Sequence, residues 1–163
     1  MATIELQLLR HAHAGDPLKW KGPDEDRPLS SKGRGQAERL GALLAAVGFK
    51  TDAIVTSPKA RARQTAEIVA DRLGMPTMID DRLGEPLSLT ALERVLSKAG
   101  DPDSIVLVGH DPDFSELLGL LTGASLITMR KGAFARIDTS RPLEPGIGAL
   151  RWLLPPELVP PTK

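Results

Sequence analysis

Residues 4–16 read Ile4-Glu-Leu-Gln-Leu-Leu-Arg-His-Ala-His-Ala-Gly-Asp16. Ile4, Leu6 and Leu8 alternate with Glu5 and Gln7, and Leu9 closes the run. That period is a β-strand's. The strand delivers Arg10 and His11 at its carboxyl end, and a loop of small residues follows. In open α/β sheets ligands bind at that end of the strands. Arginine offers a planar fork of donors that stays charged. Histidine is a nucleophile or a proton carrier near neutral pH. The pair suits an anion, above all a phosphoryl group.

Outward from this strand the pattern alternates. A loop rich in Gly, Pro and charge runs from Ala14 to about Leu29. Ser30 then opens a helix with Ala37, Leu40, Leu44 and Val47 on one face and Gly48 as its stop. Ala53–Thr56 reads as a second strand. Ser57-Pro58 reads as a cap and first helical residue, and Ala62, Ala66, Val69 and Leu73 line that helix. Thr77–Ile79 fits a short edge strand, with Met75 and Met78 in the core. The chain from Asp80 to Ser88 reads as loop. Thr90 and Glu93 have capping-box spacing ahead of Leu92, Val95, Leu96 and Ala99. Ser104–Gly109 is apolar on both faces, as a central parallel strand is. Asp111-Pro112 then opens a helix carrying Phe114, Leu117, Leu118 and Leu121. Ala133–Ile137 and Ile147–Leu154 form a closing antiparallel pair, and residues 156–163 a loose tail. This order predicts a single domain: a three-layer α/β/α sandwich with a mostly parallel central sheet and an antiparallel edge.

Composition narrows the function. The chain has 163 residues, enough for one sizeable core. Lys+Arg and Asp+Glu are equal at 21 each. No basic surplus is available for nucleic acid or an anionic membrane. The absence of cysteine removes disulfides, thiolate catalysis and Cys-based zinc sites. No signal-like segment opens the sequence and no apolar run is long enough to span a bilayer, so a cytoplasmic protein is expected.

Three strands end in chemically loaded residues: Arg10-His11, then Ser57 with Arg61 on the following helix, then His110. Parallel strands would bring them to one cleft, where helix starts add unpaired N–H groups that favour anions. The segments Leu9-Arg-His-Ala12, Thr56–Ala66 (TSPKARARQTA) and Val108-Gly-His-Asp-Pro112 resemble the histidine phosphatase superfamily, which includes the cofactor-dependent phosphoglycerate mutases. The short length and Arg27–Gly33 (RPLSSKG) look most like its small bacterial phosphohistidine-phosphatase branch. The resemblance implies a phosphoglycerate mutase-like fold. It makes His11 the nucleophile that becomes phosphorylated, Arg10 and Arg61 the holders of the phosphoryl oxygens, and His110 the second histidine. It implies no cofactor and no metal. The partner would be a phosphohistidine protein or a small phosphorylated substrate, with inorganic phosphate as product.

Other residues have weaker claims. Ser57 and Asp16 are candidate substrate contacts, though Ser57 reads first as a helix opener. Arg63 reads as a solvated helix charge, His13 as pocket rim or surface, and Lys131 as surface. Mutases and many acid phosphatases carry an acidic residue after the second helix to protonate an alkoxide. Here that region is Asp80–Pro86 (DDRLGEP), with Glu85 the candidate general acid and Asp81, Asp16 and Asp26 further options. An imidazole leaves phosphorus more readily than an alkoxide, so a weak acid favours phosphohistidine. Four alternatives stand beside this reading. They are a broad phosphomonoesterase, a mutase, a metallohydrolase on His11, His13 and His110, and a non-catalytic phosphoprotein-binding module.

Overall fold

The computed structural model describes residues 2–162. Its strands are β1 (Ala2–Arg10), β2 (Ala53–Thr56), β3 (Met78–Ile79), β4 (Ser104–Gly109), β5 (Phe134–Arg141) and β6 (Ala149–Leu154). Its helices are α1 (Ser31–Ala46), α2 (Ala60–Leu73), α3 (Leu89–Lys98) and α4 (Asp113–Thr122). Short 3-10 turns lie at Asp24–Asp26, Asp81–Gly84 and Pro156–Leu158. The strands form one sheet in the order β3-β2-β4-β1-β5-β6. β3, β2, β4 and β1 run parallel, while β5 is antiparallel to β1 and to β6. The antiparallel component at that edge is therefore a hairpin.

Side chains alternate between the two faces of the sheet and fix the layers. Leu6, Leu8, Ile105 and Leu107 meet Leu92, Val95 and Leu96 of α3 and Phe114, Leu117 and Leu118 of α4. Leu9, Ile54, Val106 and Val108 meet Leu40 and Leu44 of α1 and Ala62, Ala66 and Val69 of α2. Because both faces are covered, even Gln7 in the alternating β1 is fully buried.

Several local expectations need correction. Helix α2 begins at Ala60, not at Pro58, because Ser57 is drawn into the cleft described below. The cap of α3 is Ser88, whose side chain accepts from the Ala91 N–H. Glu93 is instead held by Arg141 at 2.8 Å and by the Leu143 N–H. Asp81–Gly84 is a 3-10 turn rather than open loop. Val47 and Met78 are exposed, because α1 ends before Val47 and β3 is an edge. The tail is docked: Pro156 is buried and Val159 joins the core layer of Leu9 and Phe134.

Candidate active site

Three neighbouring strands, β2, β4 and β1, build the site at their carboxyl ends. Arg10 pairs with Gly109 in register. The ladder continues one residue beyond the strands, with His11 N–H donating to Gly109 O at 2.9 Å and Ser57 N–H to Val108 O at 3.0 Å. Gly109 has a reason to be glycine: a Cβ there would lie 2.6 Å from the Phe114 ring. Thr65 ties α2 to the same place. Its hydroxyl donates to Arg61 O at 2.7 Å and accepts from the Ala12 N–H at 3.1 Å.

His11 is buried, and its Nδ1 lies 2.8 Å from Ala12 O. A carbonyl only accepts, so Nδ1 carries the ring proton and Nε2 keeps its lone pair. Burial pushes the ring's pKa down to about 3, and the charges of Arg61, Arg10 and Lys131 push the same way against the Ala12 bond. The imidazole is thus neutral near pH 7. The ring of His110 stands 5.2 Å away, tilted by 54°. Burial, His11 and the nearby cations likewise push His110 down to about 3. His110 Nε2 meets the Ser57 hydroxyl at 2.7 Å, and Ser57 Oγ accepts from the Lys59 N–H at 3.2 Å. With one lone pair on the Lys59 N–H, the Ser57 hydroxyl is free to donate to Nε2, and in that tautomer the His110 proton sits on Nδ1.

The two arginines flank the histidines. Arg10 Nη1 donates to Met129 O at 2.7 Å and lies 3.6 Å from Asp111. Arg61, also buried, uses Nη1 and Nη2 on the backbone oxygen and carboxylate of Asp24, at 2.9 and 3.0 Å. Among the described residues, five buried side-chain polar atoms lack a partner, and three of them are Arg10 Nε, Arg61 Nε and His110 Nδ1. An unpaired buried donor costs about 1–3 kcal/mol. Three of these atoms belong to the residues around His11, a candidate cradle for an oxyanion.

The structure brings Arg10, His11, Ser57, Arg61 and His110 together and leaves others outside. Asp16 is exposed and caps its own turn by accepting the Leu18 N–H. Glu85 is exposed, in a cleft with Lys59 and Asp81, and among the described residues its side chain forms no hydrogen bond or ion pair with Arg10, His11, Arg61 or His110. Arg63 is the solvated charge expected, 3.6 Å from Glu67. His13 lies on the rim with Nδ1 on the Ser30 hydroxyl at 2.6 Å. Among the described residues no three His, Asp or Glu side chains converge as a metal site requires. The reading of the sequence missed Asp24, Arg27 and Thr65. Arg27 is buried, with Nη1 on Ala14 O at 2.7 Å and Nε on Asp24 at 3.1 Å. Its signal lies in the Arg27–Gly33 segment, where a loop arginine beside Pro28 gives no sign of its own that it is buried. Lys131, expected at the surface, is half-buried within the field of Arg10, Arg27 and Arg61.

Comparison with known proteins bears on the family and the fold. Residues 6–87 match the histidine phosphatase superfamily (branch 1). An uncharacterized protein of Picosynechococcus sp. is 36% identical over 93% of this chain and 100% of its own length. An 8-oxo-(d)GTP phosphatase of Mycolicibacterium smegmatis is 35% identical over 64% of this chain, which spans only 33% of that protein. Among solved structures, the protein histidine phosphatase SixA complexed with tungstate superposes with a TM-score of 0.80 at 22% identity. That match covers 94% of this chain and 97% of the other. A candidate phosphohistidine phosphatase SixA from Agrobacterium tumefaciens gives 0.73 at 28% identity, over 92% and 97%.

Proposed function

The chain belongs to the histidine phosphatase superfamily, and from that premise we propose that it is a phosphatase working through a covalent intermediate on His11, with phosphohistidine on a protein as its substrate. The observation that carries this reading is the His11 ring. Its Nδ1 proton is held by Ala12 O, so a neutral Nε2 faces the reaction among Arg10, Arg61 and His110. The Nε2 lone pair forms a bond to phosphorus as the bond to the leaving nitrogen breaks, and that nitrogen takes a proton from solvent. Water then attacks the phosphorus of phospho-His11. The P–N electron pair returns to Nε2 and inorganic phosphate leaves. Arg10, Arg61 and the Nδ1–H of His110 hold the phosphoryl oxygens throughout, which is most of what phosphoryl transfer asks of a protein. In this reading the arginines supply the charge a metal ion supplies elsewhere, and no cofactor takes part.

The substrate class follows from proton supply. Arg27 and the neighbouring Arg61 hold Asp24 below the usual carboxylate range, the reverse of what a general acid needs. Glu85 stands outside the cradle. A nitrogen leaving group tolerates this lack better than an alkoxide does. The loop bearing Trp20, which is partly exposed and tied to Pro23 O, forms one wall that a protein partner in the cytoplasm could dock against.

Rapid quenching followed by intact-mass measurement should reveal an acid-labile, base-stable phosphoryl adduct, absent in His11→Ala. Normal turnover by His11→Ala would overturn the mechanism. Side-by-side assays should give a higher kcat/KM for a phosphohistidine domain than for any small phosphomonoester. The opposite ranking would return the protein to the broad phosphomonoesterase class.

A further inference from the structure

The segment leading into β5 carries a cation that the mechanism above leaves unused. Residues 129–133 wrap the end of β1. Arg10 N–H donates to Ala133 O at 3.1 Å, and the Gly132 N–H reaches both Arg10 O, at 3.1 Å, and His11 O, at 3.0 Å. Arg10 Nη1 holds Met129 O from the other side. Gly132 lies at φ +82°, and a Cβ there would sit 3.3 Å from Gln36 Oε1, which itself accepts from the His13 N–H. The turn is therefore clamped between the His11 backbone and α1, and Lys131 is the residue just before the clamp.

Lys131 differs from the other cations of the site in its company. Arg10 is offset by Asp111, while Arg27 and Arg61 share Asp24. Among the described residues Lys131 has no ion-pair partner, yet it is half-buried. Burial and the charges of Arg10, Arg27 and Arg61 push its pKa below the usual lysine range. A solubilising lysine extends into water and avoids other cations. An ammonium held partly desolvated in the field of three guanidinium groups raises the free energy, and a bound anion among the same groups lowers it again.

We propose that Lys131 is a phosphoryl-binding residue, whose ammonium takes an oxygen of the group held between Arg10 and Arg61. This assignment rests on the His11 pocket being the phosphoryl site. The test is calorimetric titration of inorganic phosphate into the whole protein, as wild type, Lys131→Met, Lys131→Gln and Lys131→Arg, beside trapping of phospho-His11. Loss of one charge-assisted contact should weaken phosphate binding about tenfold in Lys131→Met and Lys131→Gln. Lys131→Arg should recover most of the affinity, and the unfolding midpoints should stay together. Unchanged affinity in Lys131→Met and Lys131→Gln, with phospho-His11 still formed, would overturn the Lys131 assignment alone. A wild-type protein that binds no phosphate and forms no adduct would overturn the pocket itself.

Discussion

Arg61 and Arg63 sit two residues apart on one helix, and only the first enters the cradle. Arg61 is buried, anchored by Asp24, with Nε left over for an oxyanion. Arg63 is partly exposed and reaches only Pro58 O and Glu67. Arg61→Ala should therefore lower kcat/KM by a factor equivalent to about 2–4 kcal/mol of transition-state stabilisation. Arg63→Ala should fall within about threefold of wild type, because an exposed ion pair contributes about 0–1 kcal/mol. Equal losses in steady-state assays would show that both side chains meet substrate. Arg10, His11, Arg61 and His110 were legible because each lies within a few residues of a strand end. Asp24, Arg27 and Lys131 were not. They lie in segments whose path is set by contacts far away in sequence, such as Asp24 to Arg61 and Gly132 to His11.

At the scale of elements, α1 shows how a helix start holds the loop that follows His11. Ser30 caps α1 by accepting the Gly33 N–H, and its own N–H and hydroxyl both donate to His13 O. The helix is thereby pulled so close that a Cβ on Gly33 would lie 1.9 Å from His13 O. Gly33→Ala must push the loop after His11 away or unwind the first turn of α1. A loss of about 1–3 kcal/mol in stability is expected for such overpacking, together with a fall in kcat. Urea denaturation and steady-state kinetics would check the pair, and a fully stable, fully active Gly33→Ala would refute the close approach. The Ser30 cap was readable because its side chain serves the helix it precedes. The Ser57 and Thr90 starts misled for a common reason. Ser57 is recruited by His110 and Glu93 by Arg141, so tertiary partners took the groups that local capping would have used.

Across the whole molecule, the two neutral histidines link the site to stability. In the unfolded chain a histidine titrates near 6.5, whereas burial holds His11 and His110 down to about 3. Above about pH 6.5 both states leave these rings neutral, and they add no pH dependence. Between about 6.5 and 3 these two rings bind up to two more protons in the unfolded chain than in the folded one, and His13, lowered by burial and by nearby cations, adds in the same direction. Stability must then fall as pH falls, by about 1.4 kcal/mol per pH unit for each ring once its unfolded form is charged. The depressed carboxylates Asp24, Glu93 and Asp138 add their own loss only at lower pH, where they begin to protonate. The window from pH 6 to 5 therefore isolates the histidines. Unfolding free energies from urea titrations should be level from pH 8 to 7 and then decline through that window. His110→Asn should lower the slope there by up to about 1.4 kcal/mol per pH unit, since one proton-linked ring is gone. A wild-type protein whose stability stays level down to pH 5 would mean that the rings protonate in place, and the neutral Nε2 on which the chemistry of His11 depends would be lost with them.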